Sequence, residues 1–301
     1  MSETISIEEA VMLWLNTFNR RAAFFESELI SLLYRLREDK SFQNQKIRNL
    51  RKDANLKRLF REVVEYLVSN EMIKQTSSGY FTISNSDVSD LEIVCSLYPS
   101  GYISYLSAMR YYNLTNRFPK NIDFVAPPRT IWKKEQLTTL ENKNIHDLKL
   151  GDNKFITPYP SKHVRVKRKH LNVHSRTPSY REETKGDILR IIRIGDLFIE
   201  MLRYPELCGG FQHVFEIYEE MGEVLLEEII ESVEEFGSHI DKCRIGFILQ
   251  CHLNIDDERI KEWQASSPSR GGSRKMVSSL PYADCYSEVW CISLNHSLFG
   301  N

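Results

Sequence analysis

One stretch constrains this chain more than any other: Leu59, Phe60, Val63, Val64, Leu67 and Val68 repeat at i, i+1, i+4 and i+5, and Asn70 then stops them. That spacing puts the apolar side chains along one side of a helix. It leaves Lys57, Arg58 and Arg61, three and four positions apart, together on another face. Two short β-prone runs follow, Met72-Ile73-Lys74-Gln75 and Tyr80-Phe81-Thr82-Ile83, joined by the turn residues Thr76-Ser77-Ser78-Gly79. Ahead of the stripe, Ser6 and Glu9 stand at capping-box spacing, and Ile7, Ala10, Val11, Trp14, Leu15 and Phe18 recur at helical intervals. Ser27 opens a second helix carrying Leu29, Ile30, Leu33 and Leu36. Helices, then a basic amphipathic helix, then a hairpin predict a winged helix-turn-helix domain over residues 1–84. In such a domain the helix before the wing enters the major groove, and the wing holds phosphates. The helix that precedes the basic one is expected at Gln45–Lys52.

The net charge of −1 conceals a strong asymmetry. Between Lys46 and Arg61, seven basic residues (Lys46, Arg48, Arg51, Lys52, Lys57, Arg58, Arg61) face a single acid, Asp53, so the stretch is locally +6. With Lys74 of the hairpin, these are the candidate DNA-binding residues. A second basic patch comprises Lys162, Arg165, Lys167, Arg168 and Lys169. Its basic residues alternate with valines up to Lys167, which predicts a half-exposed strand with one basic face. That face extends a DNA footprint, grips an acidic partner, or is a lysine-blunted sheet edge. Val214–Phe236 balances the charge with nine Glu and neither Lys nor Arg, as one long amphipathic helix or a pair.

At 301 residues the chain fits two domains. The polar segment Ser84–Asp90 divides the head from a larger mixed α+β body over residues 91–301, so the fold class is α+β. In the body a helix is expected around Ile103, Leu106 and Met109, and a strand over Ile122–Ala126 stopped by Pro127-Pro128. A second strand is expected at Ile188–Ile194, followed by a helix carrying Leu197, Phe198, Met201 and Leu202. Thr138–Lys154 and Ser266–Ser273 read as loops, and Glu288–Leu294 as a final strand. No apolar run approaches the roughly 20 residues that span a bilayer, and Met1–Glu9 carries acids where a signal peptide carries basic residues. A cytoplasmic location follows as an expectation. None of the six cysteines forms a CxxC pair, and all are read as reduced thiols.

No catalytic residue, metal site or cofactor is expected. His170 and His174 are four apart beyond an alternating strand pattern, about 13 Å along a strand, with no third ligand nearby. Gly271-Gly272-Ser273-Arg274-Lys275 lacks the order of a phosphate-binding loop. Asp196 and Glu200 share a helical face, where Asp196 serves the helix N-terminus, and Cys208 reads as a small buried hydrophobe in a turn.

In the body the residues resemble a known family. Ser100-Gly101-Tyr102-Ile103-Ser104-Tyr105-Leu106-Ser107-Ala108-Met109, then Tyr112-Asn113-Leu114-Thr115, Pro119 and Ile122-Asp123-Phe124-Val125-Ala126, resemble the AbiEi antitoxins of bacterial abortive infection. A second block is Arg193-Ile194-Gly195-Asp196-Leu197-Phe198-Ile199-Glu200-Met201-Leu202 with Pro205-Glu206-Leu207-Cys208-Gly209-Gly210. A third is Trp290-Cys291-Ile292-Ser293-Leu294-Asn295. The resemblance implies a winged-helix head before such a body. It implies an antitoxin that represses its own operon at inverted repeats in double-stranded DNA. It also implies a partner toxin resembling a nucleotidyltransferase. The chain departs from the pattern in carrying Glu200 where members commonly have Asp, and in a longer, more helical head. Palindromic sites predict a homodimer on DNA, or monomers that bind each half-site cooperatively. The alternative is a protein-interaction module that docks a toxin or defence component, its head no longer binding DNA.

Overall fold

The computed structural model describes residues 4–17, 21–84, 87–142, 155–177, 182–266 and 274–300. The fold is mixed α+β. Among the described residues the chain begins β1 (Thr4–Ile5), α1 (Ile7–Asn16), β2 (Ala23–Phe25), α2 (Glu26–Asp39), β3 (Ser41–Phe42), β4 (Gln45–Ile47), α3 (Leu56–Ser69), β5 (Ile73–Gln75), β6 (Tyr80–Ile83) and α4 (Asp90–Leu97). Helix α1 starts at a reciprocal cap. The Glu9 N–H donates to Ser6 Oγ at 3.1 Å, and the Ser6 N–H to Glu9 Oε2 at 2.5 Å. Ser89 and Glu92 repeat the device at α4. The apolar rows of α1, α2 and α3 meet over one core. Val11 and Leu15 come from α1, Leu29, Leu33 and Leu36 from α2, Val63 and Leu67 from α3, and Phe24 and Phe81 from two strands. Strands β2, β6 and β5 form an antiparallel sheet in that order, with Phe24 opposite Phe81 and Lys74 opposite Thr82. Phe18 lies outside the described residues.

Gln45–Lys52, where the sequence pattern predicts a helix, is instead strand β4 followed by a turn. Gln43, Asn44 and Asn49 hold φ of 48°, 65° and 56°, left-handed values that an α-helix does not contain. Strand β4 lies between β1 and β3, so the helix immediately ahead of α3 is α2.

The chain continues through β7 (Tyr102–Ile103), α5 (Tyr105–Tyr111), β8 (Ile122–Ala126), α6 (Arg129–Asn142), β9 (Arg165–Val166), β10 (Lys169–Ser175), β11 (Glu182–Lys185), β12 (Leu189–Ile192) and α7 (Ile194–Arg203). Then come α8 (Phe211–Met221), α9 (Leu226–Phe236), α10 (His239–Gly246) with a π-helical extension Phe247–His252, α11 (Glu258–Ala265), β13 (Tyr286–Ser287) and β14 (Ile292–Ser293). Ile103, assigned by pattern to a helix, is in strand β7, and the final strand is confined to Ile292–Ser293. The part of the expected loop Thr138–Lys154 up to Asn142 belongs to α6; residues 143–154 lie outside the described residues, as do 267–273.

By compactness the chain divides into two units, each discontinuous in sequence. The first holds Met1–Tyr102, Phe124–Thr177 and Thr184–Arg190; the second holds Ile103–Asp123, Pro178–Glu183 and Ile191–Asn301. In the first unit, Tyr98 is fully buried among Phe25, Phe124 and Trp132, with ring centroids 5.4, 5.7 and 6.0 Å away. The Arg190 guanidinium donates to the carbonyls of Gly101, Cys95 and Tyr98, which fixes segment 184–190 to residues 95–101. In the second unit, α7 is central, with Gly195 through Leu202 buried. Tyr218 on α8 donates to the Phe198 carbonyl at 2.9 Å.

Arg203 and Asp241 form an ion pair in the second unit: Nε meets Oδ1 at 3.0 Å and NH2 meets Oδ2 at 2.5 Å, with Asp241 1% exposed. Burial pushes the Asp241 carboxyl up, but hydrogen bonds from Arg203 and Ser238, with the Arg203 charge, outweigh it and hold the group below its ordinary range. Asp241 therefore stabilises the fold above an ordinary Asp pKa of about 4, and that contribution is lost as pH falls through the lower folded value. Arg203→Met is expected to cost about 3–5 kcal/mol at neutral pH, because the carboxylate stays buried without the guanidinium that meets both its oxygens. The denaturation midpoint checks this. The loss should shrink at acid pH, where the orphaned carboxyl takes up a proton.

Candidate nucleic-acid interface

Helix α3 is started by Asn55, whose Oδ1 accepts from the backbone N–H groups of Lys57 at 3.0 Å and Arg58 at 3.1 Å. Its first turn carries cations and no acid. Each cation there opposes the helix dipole by about 0.3–1 kcal/mol, so helix stability does not account for Lys57 and Arg58. Val63 and Leu67 are buried, Leu59, Phe60 and Val64 pack on the same core, and Lys57, Arg58 and Arg61 are exposed. Arg58 Nε lies 3.4 Å from Glu62 Oε1, but both side chains are more than half exposed, at 73% and 56%. Such a pair is worth about 0–1 kcal/mol and yields readily to a phosphate.

The cations of the segment before α3 differ in their freedom. Lys46 is exposed on β4, and Arg51 and Lys52 are exposed in the turn that follows. Arg48 is exposed too, but it lies 3.3 Å from Glu9 in the α1 cap. A hydrogen bond from the Ser6 backbone, then the charge of Arg48, holds the Glu9 carboxyl below its usual range. Arg48 therefore has a structural partner where the others face solvent.

The second basic patch is a hairpin rather than a single strand. Val166 pairs with Lys169 and Arg165 with His170, and Lys167, at φ 51°, and Arg168 form the tip. The alternation with valine predicts a continuous strand, but the left-handed Lys167 reverses the chain after two strand residues. This hairpin is tied to the β5–β6 hairpin within the first unit. The Arg165 N–H donates to Ser78 Oγ at 3.1 Å, and the Tyr80 hydroxyl donates to the Arg165 carbonyl at 3.0 Å. Burial pushes the Tyr80 pKa up. Lys74, Arg165 and Lys167 thereby line one groove of about 550 Å³ with Thr76, Ser77 and Thr82.

Within that groove Lys167 Nζ donates to the Val88 carbonyl at 2.6 Å. The other cations of the patch do not line it: Lys169 lies 2.9 Å from Asp90. Lys162 lines a different groove with His163, Arg129 and Tyr159. Arg168 is exposed at the tip. Sequence patterns missed Ser78, Tyr80 and Asn55. Asn55 carries a readable signal, an N-cap residue just before an apolar stripe; the other two act across more than eighty residues of chain and leave none.

Asp196 and Glu200 are both fully buried on α7, and Ser104 Oγ donates to Glu200. Arg193 occupies the N-cap position, and Asp196 is in the first turn. Burial pushes the Cys208 thiol well above its usual pKa, aided by the negative charges of Glu200 and Asp123. His170 and His174 lie on β10, where His170 Nδ1 is 3.2 Å from the Lys162 carbonyl. Among the described residues no cluster of His, Cys, Asp and Glu has the geometry to hold a metal ion. Of the glycine-rich segment, Gly271–Ser273 lies outside the described residues. No helix among the described residues is long and apolar enough to cross a membrane.

No family model matches this chain. No curated protein matches it either. Among solved structures, the RV2827C protein from Mycobacterium tuberculosis is similar with a TM-score of 0.43 at 8% identity, over 87% of this chain and 89% of that one.

Proposed function

We propose that the chain is a DNA-binding regulator whose first 84 residues act as a winged helix, with α3 as the helix that reads the major groove. The observation that carries this reading is an order combined with a pairing. Elements α1, β2, α2, α3, β5 and β6 follow one another, β2 pairs with β6 and β6 with β5, and Lys57, Arg58 and Arg61 face outward on α3. On this reading β5–β6 is the wing, and β3–β4 is an insertion between the two helices of the helix-turn-helix. The insertion brings Lys46, Arg51 and Lys52 to the phosphates, and the groove of Lys74, Arg165 and Lys167 extends the footprint along the backbone.

The body's resemblance to AbiEi antitoxins supports a further part of the proposal. The regulator represses its own operon as a dimer at inverted repeats, in the cytoplasm, and counteracts a nucleotidyltransferase-like toxin. No catalytic group, metal or cofactor is assigned. The test is retardation of duplex DNA from upstream of its own reading frame. Binding should exceed that of a scrambled duplex, and log K should fall linearly with log salt by about 0.9 per phosphate neutralised. Equal, weak binding to both duplexes at low salt would overturn the reading and favour the interaction module.

A further inference from the structure

The second unit carries a surface that DNA reading by the head does not use. Between Arg110 and Lys120 the chain reads Arg-Tyr-Tyr-Asn-Leu-Thr-Asn-Arg-Phe-Pro-Lys, three cations and three aromatic rings with no acid. Phe118 is 78% exposed, more than any other large apolar side chain among the described residues. A single exposed apolar residue is ordinary and by itself marks nothing. This ring, however, is held. The Arg110 guanidinium lies over it, 4.4 Å from the centroid, and Arg110 is in turn anchored by a 3.1 Å hydrogen bond to the Thr115 carbonyl.

The loop around the ring is braced at each end. Tyr112 donates to the Ile192 carbonyl at 2.8 Å, and Thr115 Oγ1 lies 2.8 Å from a His213 ring nitrogen while accepting from the Arg117 N–H at 3.1 Å. Arg117 uses one terminal nitrogen on the Gly209 carbonyl at 2.7 Å, and Pro119, the next residue after Phe118, is buried. A guanidinium has five N–H donors, so Arg117 keeps others for a ligand. An exposed ring in a tightly tied loop pays little ordering entropy on binding, which is the property of a preformed platform.

We propose that this loop binds single-stranded nucleic acid, with one base stacked on the open face of Phe118. Arg117 and Lys120, on either side of the ring in sequence, receive the flanking phosphates. The chemistry of aromatic faces interleaved with cations is that of sequence-tolerant single-strand binding. An acidic protein would use the cations but has no need of a bare ring backed by a guanidinium. The proposal does not depend on the head being a winged helix.

The test measures binding of fluorescein-labelled single-stranded RNA and DNA 12-mers to the full chain by anisotropy. Phe118→Ala should weaken binding roughly 5- to 150-fold, the range of one base stack, and Phe118→Tyr should restore it. Because the side chain is exposed, Phe118→Ala folds as the parent does, which circular dichroism verifies. A preference for RNA or DNA identifies the strand type. Arg117→Ala with Lys120→Ala should flatten the salt dependence of single-strand binding. Parent-like binding by Phe118→Ala overturns the proposal, and so does binding of a polyglutamate peptide at this loop with none of either oligonucleotide.

Discussion

Replacing Lys57, Arg58 and Arg61 together by alanine is expected to lower affinity for promoter DNA about 100-fold near 0.15 M salt. The magnitude follows from counterion release: each phosphate contact contributes about 0.9 to the slope of log K against log salt, so three contacts are worth roughly two decades at that concentration. The slope itself should become shallower by about 2.7. Folding should survive, because all three side chains are exposed and the helix is held by Val63 and Leu67 on its other side. Removing cations from the first turn relieves an unfavourable dipole interaction, so the variant should if anything melt slightly higher. Arg58 is the weakest of the three, since Glu62 competes for it at 3.4 Å. An unchanged slope would show that α3 is not the DNA-facing helix.

A large loss of stability is also expected from Gly195→Ala. A Cβ at Gly195 would stand 2.0 Å from the Glu228 carbonyl oxygen and 2.4 Å from Ser232 Oγ, so one methyl group requires α7 and α9 to part. The obstacle is backbone, which cannot rotate away as a side-chain end can. Overpacking of a close core costs typically about 1–3 kcal/mol, and occasionally more where the obstruction cannot relax. This position belongs at or above the top of that range. The thermal midpoint should fall by several degrees. Gly79→Ala makes an instructive contrast: an added Cβ there meets nothing within 4 Å. Its cost is the strain of a side chain at φ 78°, about 1 kcal/mol.

The N-terminal helices could be read from sequence because their apolar rows are regular and their caps local. The stripe from Leu59 to Val68 lies in α3, and Ser6 with Glu9 caps α1. The β3–β4 hairpin could not be, since its strands are two and three residues long and its turn uses Gln43 and Asn44, not glycine, at positive φ. Helix α6 is hidden for another reason: its buried row is Trp132, Gln136 and Leu140, with a polar residue where the pattern needs an apolar one. In α10 the buried row includes Asp241 and Arg244, for the same result. Of the candidate interface, the cations were legible as charge. That Lys74 shares a groove with Arg165 and Lys167 was not, because Tyr80 and Ser78 make that link at separations of 85 and 87 residues.

The discontinuity of the first unit bears on how the protein is made. Its last segment, Thr184–Arg190, supplies the guanidinium that closes on Cys95, Tyr98 and Gly101, so the first unit is incomplete until Arg190 has left the ribosome. By then Ile103–Asp123 of the second unit has already emerged and must wait for Ile191 onward. Translation therefore finishes the half that carries the basic helix before the other half, once Arg190 has emerged.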